Sequence, residues 1–283
     1  MILLDYNQVF LSSIMIQLGP HPTIKLNNEL ANHMFFNSLA FYSKRFSNQY
    51  GNLVICCDSK KVWRKDIFEY YKVGRKKTRA NSKFDWQTVY DILESMRNNL
   101  IEYFPYRVIE VPHAEADDII GVICKYRHSI DEKILIVSGD KDLSQLQKYP
   151  NVFQYSPRTK KYIALDDPVK SLKEHIIRGD ESDGIPNILS PDDTFVSGKR
   201  QAPIFLKRII AWVEEEPDTF CNTGMERNYH RNQQLIDLNF TPQSIVDKTL
   251  EILDTTPSGN RQKMLNYLIH HKYSKILERV GDF

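Results

Sequence analysis

No apolar run in this sequence approaches the roughly 20 residues that a helix needs to cross a bilayer, so a helical membrane anchor is not expected. The opening stretch, MILLDYNQVF, has no basic segment and meets an acid at Asp5, which argues against a secretory signal. Cysteine is scarce. Cys56, Cys57, Cys124 and Cys221 show no zinc-knuckle spacing, and the first two lie inside an apolar run. They read as small core residues of a protein that works in a reducing cytosol. Net charge is also nearly absent, at +2 over 283 residues, and there is no internal repeat or low-complexity segment. What remains is ordinary globular composition, long enough for one large domain or two small ones.

The charges that cancel in total are segregated along the chain. Residues 60–79, KKVWRKDIFEYYKVGRKKTR, hold nine Lys or Arg against Asp66 and Glu69. Acids gather elsewhere, in HAEADDIIG from His113 and in VSGDKDL, which contains Asp140 and Asp142. Such separation suggests a basic track leading to an acidic centre.

Four short apolar runs, MILLD, NLVICCD (52–58), RVIEV (107–111) and KILIVSGD (133–140), read as buried strands because they do not alternate. Helical patterns occupy 27–48, 86–104 and 114–127 between them. This alternation predicts an α/β fold, a mainly parallel twisted sheet flanked by helices. PRTKKY (157–162) reads as a turn between two short strands, and 187–201 as irregular loop. Helical patterns dominate afterwards, at 167–178, 202–214, 227–238, 243–253 and 260–279. A soft boundary is therefore placed near 165, with an α/β core at 1–165 and a smaller helical portion at 166–283.

Asp5, Asp58 and Asp140 each stand at or just past the end of an expected strand, where ligands bind in parallel sheets. A helix starting near Ala114 would bring Glu115, Asp117 and Asp118 to the same edge. Asp142 follows Asp140, and Asp180 and Asp183 form a further pair in RGDESDGIP. Nine carboxylates so close cannot all ionise unaided, so a proton or a cation must relieve them. With no cysteine and no clearly placed histidine among them, the donor set suits Mg²⁺ or Mn²⁺. Two such ions, about 4 Å apart, suit phosphodiester hydrolysis. Asp66, Asp85, Asp131, Asp166, Asp167, Asp192 and Asp193 lack that placement and read as surface acids. His113, just before the acidic helix, reads as a loop residue rather than a general base. In the basic stretch, aromatics interleave with cations (Trp63, Arg64, Lys65, Tyr70, Tyr71, Lys72, Arg75, Lys76, Lys77, Arg79), which suits single-stranded nucleic acid.

In order, LLDYNQ, CCDSKKVWRKDIFEYYKVGRKK, HAEADDIIG, VSGDKDLSQL and GDESDGIP resemble the acidic motifs of the structure-specific 5′-nucleases, the flap endonuclease family. The likeness is strong to about 186 and thin beyond, and it lies nearest the family's phage branch. It implies a PIN-like nuclease core that cuts 5′ ends, flaps and forks of DNA and RNA–DNA duplexes with two Mg²⁺, Mn²⁺ substituting, and removes lagging-strand RNA primers. A phage-encoded chain would act in the host cytosol. By likeness, Asp5, Asp58, Glu115, Asp117, Asp140 and Asp142 surround the first metal region, and Asp180 and Asp183 help hold the second. Asp118 belongs to the outer shell, and Lys72 and Arg75 steer the scissile phosphate. Residues of about 60–85 form a basic arch, where Arg64, Lys65, Tyr71, Lys76, Lys77 and Arg79 contact nucleic acid.

The chain departs from the family in two places. Gly184 follows the last acid pair where Asn is usual. NILSPDDTFVSGKRQA replaces a Gly-Ile-Gly hairpin that holds a monovalent ion, so Lys199 and Arg200 would make phosphate contacts instead. The phage relatives' N-terminal extension has no counterpart before the first strand. A sliding-clamp contact is therefore not expected from there, while a single-stranded DNA-binding protein is an expected partner. Other readings of the acids are a PIN-type ribonuclease, which would lack the long basic insert, and a Toprim-type site, which leaves Asp5, Asp58 and the 180/183 pair unexplained. A non-catalytic DNA-binding replication accessory is the non-enzyme alternative.

Overall fold

The structure is a computed structural model that describes residues 1–18, 26–80, 82, 85–128 and 132–283, without the side chains of 16–18, 77 and 78. Strand β1 (Ile2–Asp5) runs directly into α1 (Tyr6–Leu18), and α2 (Asn28–Tyr50) leads to β2 (Leu53–Cys57). The short helices α3 (Arg64–Ile67) and α4 (Gly74–Ala80) then precede α5 (Trp86–Tyr103) and β3 (Arg107–Glu110). Next come α6 (Ala116–Arg127), β4 (Ile134–Val137), a 3₁₀ segment at Asp142–Lys148, β5 (Val152–Ser156) and β6 (Lys161–Ile163). The rest is helical: α7 (Pro168–Arg178), α8 (Leu206–Glu214), α9 (Pro217–Phe220), α10 (Thr223–Ile236), α11 (Gln243–Leu253), α12 (Arg261–His270) and α13 (Ser274–Leu277), with short 3₁₀ turns between some of them. None of the described helices is long and apolar enough to cross a membrane.

The strands form one sheet in the order β3-β2-β1-β4-β5-β6. The first five are parallel, and β6 pairs antiparallel to β5. The expected α/β sheet is therefore present, and strand direction explains the non-alternating runs. Ile2, Leu4, Leu53, Ile55, Leu135 and Val137 face one core with α1, α2 and α5, while Leu3, Val54, Cys56, Ile134 and Ile136 face another with α6. Both faces are buried, so the strand positions are apolar on either side. Chain order reverses between β1 and β4, the switch point at which parallel sheets open a crevice beyond their carboxyl ends. Asp5 ends β1, Asp58 follows β2 and Asp140 lies just past β4, as the sequence predicts.

After β6 the elements are helical from Pro168 on, and these later helices wrap around the sheet. Met264, Tyr267, Leu268, Tyr273 and Phe283 join the α2–α5 core, whereas Leu238, Ile245 and Leu253 join the α6 core. A third cluster joins α7, α8 and α10 to Phe68 and Tyr71 from the basic stretch. The helix expected over 260–279 breaks after His270, where Lys272 takes a left-handed φ of 57°. The one expected at 227–238 begins earlier, at Thr223, because the Asn222 side chain accepts a hydrogen bond from the Met225 N–H and caps it. Of the expected surface acids, Asp85 and Asp167 are helix N-caps, Asp192 pairs with Arg227 and Arg231, and Asp131 lies outside the described residues.

Phe36 on α2 is fully buried and touches Phe104, Tyr267 and Tyr273. Phe36→Ala is expected to cost about 3–5 kcal/mol in chemical denaturation. The loss should fall within one cooperative transition, since the ring ties α12 to the sheet domain. A separate early transition for the C-terminal helices would contradict that packing.

Candidate metal centre

Helix α6 sets the acidic wall. Its N-cap is Glu115 (φ −96°), so this residue precedes the first turn instead of lying within it, as the sequence suggests. Asp118 is fully buried and reaches back to accept the Glu115 N–H at 2.9 Å. Its two oxygens also accept hydrogen bonds from Trp63 Nε1 (3.0 Å), Arg64 Nη1 (3.0 Å), Arg64 Nη2 (2.8 Å) and Thr241 Oγ1 (3.1 Å). Five donors saturate this carboxylate. Asp118 is therefore a buried anchor for the start of α6, which matches its expected outer-shell place, and one of its oxygens lies within 4.8 Å of oxygens of Glu115 and Asp117.

Arg64 corrects the expectation that it contacts nucleic acid. Its side chain is 1% exposed, donates to the Leu235 carbonyl at 2.8 Å and bridges Glu115 and Asp118. Tyr71 is likewise buried, and its hydroxyl donates to Glu115 (2.8 Å) and Asp183 (3.2 Å). Both residues read as surface in the sequence because cations and aromatics interleave there. In fact the first part of the basic stretch plugs the gap between α6 and the helical half. Lys65 and Lys76 remain exposed, Arg79 packs its guanidinium over Trp86 and Tyr90, and Lys77's side chain lies outside the described residues. Lys199 is exposed beside Asp193 and Arg200 is exposed, in a segment that has no helix or strand across 187–201.

Lys72 and Arg75 stand over the acids. Lys72 Nζ lies 2.5 Å from Glu115 and 3.4 Å from Asp183, and Arg75 Nη2 lies 2.5 Å from Asp183. Lys72 itself has φ 57°, and its N–H donates to the Asp183 carbonyl at 2.7 Å, so the backbone fixes the same contact. Gly184 is left-handed at φ 75°, a region open to Gly and, less freely, to Asn. A Cβ there would sit 2.8 Å from the Tyr70 carbonyl, which accounts for glycine at this departure from the family pattern.

These contacts divide the nine acids. Glu115, Asp118, Asp180 and Asp183 have Lys or Arg partners within 3.0 Å. Burial opposes ionisation of Glu115, yet Lys72 and Arg64 hold it below its ordinary range. Burial likewise opposes Asp180, while the polar groups of His175, Ser182 and Lys141 hold it down. Among the described residues, no basic group lies within ion-pair reach of Asp5, Asp58 or Asp140. Asp117 has only Arg64 at 3.7 Å, and Asp142 only His175 at 3.4 Å. Burial, with Asp58 and Asp140 nearby, pushes Asp5 up to about 7. Burial and Asp140 push Asp142 up to about 7 as well. Burial also raises Asp58, with Glu115 adding to it, and raises Asp117 well above its usual range. Asp142 Oδ1 is buried without a hydrogen-bond partner. Carboxylates without strong counter-ions, partly buried at Asp5, Asp58, Asp117 and Asp142 and exposed at Asp140, fit the hard divalent cations expected from the sequence.

Three residues that sequence reasoning misses, Asn7, Ser138 and His175, complete the site. Asn7 donates to Asp58 at 2.5 Å, and the Ser138 hydroxyl donates to Asp5 at 2.9 Å. The Ser-Gly step before Asp140 is the available signal for Ser138. His175 sits between Asp142 and Asp180 from the last turn of α7, five residues before Asp180, a spacing with no recognisable signature.

In metal-free buffer, the raised acids should govern stability between about pH 5 and 7. Asp5 and Asp142 titrate near 7 when folded and near about 3.9 when unfolded, so the folded protein binds the extra protons there. Stability should therefore fall as pH rises through this window. Denaturation at a series of pH values checks the sign. Divalent cation at neutral pH, or Asp5→Asn with Asp142→Asn, should reduce the loss. A separate expectation concerns Arg64→Met, which strands the buried Asp118 and should cost about 3–5 kcal/mol.

Comparison with known proteins agrees with this geometry. Residues 20–174 match the sequence profile of the 5′–3′ exonuclease N-terminal resolvase-like domain, and residues 168–283 match that of the T4 RNase H C-terminal region. The ribonuclease H of Enterobacteria phage T4 is 29% identical over 291 residues, covering 99% of this chain and 95% of that protein. A 5′–3′ exonuclease of Buchnera aphidicola is 31% identical over 248 residues, covering 79% of this chain and 76% of the relative. The flap endonuclease of bacteriophage T5, solved in a pseudo-enzyme-product complex with DNA and metal ions, shares the fold with a TM-score of 0.63 at 16% identity, covering 89% of this chain and 97% of that one. An acid-edged parallel sheet whose two matched profiles together reach from residue 20 to the last residue makes this chain a member of the 5′–3′ exonuclease family and a nuclease.

Proposed function

We propose that the chain hydrolyses phosphodiesters at 5′ ends, flaps and forks of DNA and RNA–DNA duplexes with two Mg²⁺, for which Mn²⁺ substitutes, and that RNA primers of lagging-strand fragments are its substrates. The observation that carries this reading is the set of acids without strong counter-ions: Asp5, Asp58 and Asp140 at or just past strand ends, Asp117 at the start of α6 beside Glu115, and Asp142 after Asp140, with Lys72 and Arg75 paired to the neighbouring Glu115 and Asp183. Asp5, Asp58, Glu115, Asp117 and Asp140 would hold one cation; Asp142, which the family likeness puts with them, stands beside His175 and Asp180 and would instead join Asp180 and Asp183 toward the second. Bound there, the cations supply a nucleophilic water and neutralise charge in the transition state.

The protein's own groups do the rest. Lys72 and Arg75 already hold positive charge at the mouth of the site, where a phosphate can share it. Asn7 and Ser138 orient Asp58 and Asp5 by donating hydrogen bonds. Lys65, Lys76, Lys77, Arg79, Lys199 and Arg200 would guide the phosphate backbone toward that mouth, with Trp86 and Tyr90 beside Arg79 offering aromatic faces.

A 5′-labelled flap and a matched RNA-primed duplex test the reading. Mg²⁺-dependent shortening from the 5′ side is expected on both. DNA binding without cleavage in either Mg²⁺ or Mn²⁺ would favour a non-catalytic accessory. Asp140→Asn should lower the cleavage rate by far more than tenfold, which is about 1.4 kcal/mol of barrier, while leaving DNA binding largely intact. Lys76→Ala should weaken DNA binding and reduce the slope of log affinity against log salt by about 0.7–0.9, as one lost phosphate contact does. An unchanged slope would remove Lys76 from the interface.

A further inference from the structure

The ring of His175 is wedged between two acids of the second metal region. Its Nδ1 lies 3.4 Å from Asp142 Oδ1 and its Nε2 lies 3.3 Å from Asp180 Oδ2. Neither approach makes a hydrogen bond, because Asp142 Oδ1 and His175 Nε2 are both buried and unpartnered. Asp142, His175 and Asp180 each offer one donor atom, and these lie within 4.8 Å of one another. Neighbouring ligands of a six-coordinate ion with bonds of ~2.1 Å stand about 3 Å apart; Nε2 and Asp180 Oδ2 are close to that spacing, and the unpartnered Asp142 carboxylate, which faces the other ring nitrogen, would turn to share the ion. Lys141, whose Nζ lies 3.0 Å from Asp180 Oδ2, has a side chain 62% exposed. It can therefore swing into solvent when a cation enters.

The ring is also held in place. His175 is on the final turn of α7, where Ile176 and Ile177 are buried in the third core. Gly179 ends that helix at φ 68°, and a Cβ there would meet the Ile185 carbonyl at 2.3 Å. The path from His175 to Asp180 thus has little freedom, and the imidazole stays aimed at the two carboxylates.

We propose that His175 is a protein ligand, through Nε2, of the metal position shared by Asp142 and Asp180, and that this nitrogen shifts the position's preference from Mg²⁺ toward Mn²⁺. The inference rests on the reading that these acids hold divalent cations. Imidazole favours the transition metals, whereas Mg²⁺ prefers oxygen donors and retains water. One metal position would then be all-oxygen and the other mixed, so the two would differ in selectivity.

Pulsed electron paramagnetic resonance of the Mn²⁺-loaded protein tests this without measuring turnover. Modulation from a directly bound ¹⁴N is expected, replaced by the ¹⁵N pattern when the protein is made with ¹⁵N-histidine. It should vanish in His175→Gln and persist in His113→Gln, the other histidine near the acidic edge. Calorimetric titration should show Mn²⁺ binding at this position weakened about tenfold or more by His175→Gln. Mg²⁺ binding should change by about threefold at most. Bound Mn²⁺ with no nitrogen modulation, or modulation lost only in His113→Gln, overturns the assignment while leaving the metal-dependent nuclease intact. Absence of Mn²⁺ binding together with absence of Mg²⁺-dependent cleavage overturns both. The isotope experiment on the unaltered protein decides the matter even if His175→Gln does not fold.

Discussion

The fork between Arg64 and Asp118 is the contact on which the site depends. A buried guanidinium and a buried carboxylate meet through two hydrogen bonds, at 3.0 and 2.8 Å, in a place from which water is excluded. Charges removed from water are tolerated only when fully partnered, and here they are. Asp118 takes three further donors, from Trp63, Glu115 and Thr241, while Arg64 also reaches Glu115 and the Leu235 carbonyl. One ion pair thereby fastens the start of α6, the base of the basic stretch and the end of α10. The positions of Glu115 and Asp117 follow from it. Asp118, an outer-shell acid by family likeness, fixes where its neighbours stand.

Around that anchor the remaining acids separate by function. Those with basic partners hold Lys72, Arg75 and Lys141 in place. Asp5, Asp58, Asp117 and Asp142 are forced upward by burial and by neighbouring acids, Asp5 and Asp142 to about 7. The folded chain stores repulsion on one sheet edge and balances it with apolar cores on both faces of the same sheet. A cation that enters relieves the repulsion, so binding and stability are linked through the same carboxylates.

Much of this architecture is legible in the amino-acid sequence. The four apolar runs, the strand-end placement of Asp5, Asp58 and Asp140, and the strand turn at 157–162 rest on local patterns that the fold leaves intact. Helix α1 is not legible, because YNQVFLSSIMIQL is apolar around most of its circumference and follows β1 without a break, so no periodicity marks it. Arg64 and Tyr71 mislead for a different reason. A basic, aromatic segment reads as surface unless its acidic partners are known to converge from residues 115, 118 and 183. Spacing alone cannot find His175, since its relation to Asp142 depends on how α7 packs against the segment after β4. Burial and long-range pairing are tertiary quantities, and each of these misses involves one of them.

The ion pairs of Lys72 and Arg75 also bear on how substrate would engage. Lys72 and Arg75 are held by Glu115 and Asp183, so the fold itself orients both side chains. A phosphate entering the site meets positive groups already in position, and little entropy is lost in ordering two long side chains. Those groups cannot move freely, because Lys72 is fixed through its backbone to Asp183 and through its amine to Glu115. Cation binding at Asp117 and Asp142 would draw on the same acids and loosen the grip of Glu115 and Asp183 on Lys72 and Arg75. On the proposed roles of these residues, metal occupancy and phosphate capture would be coupled through shared carboxylates, and the coupling would run in both directions.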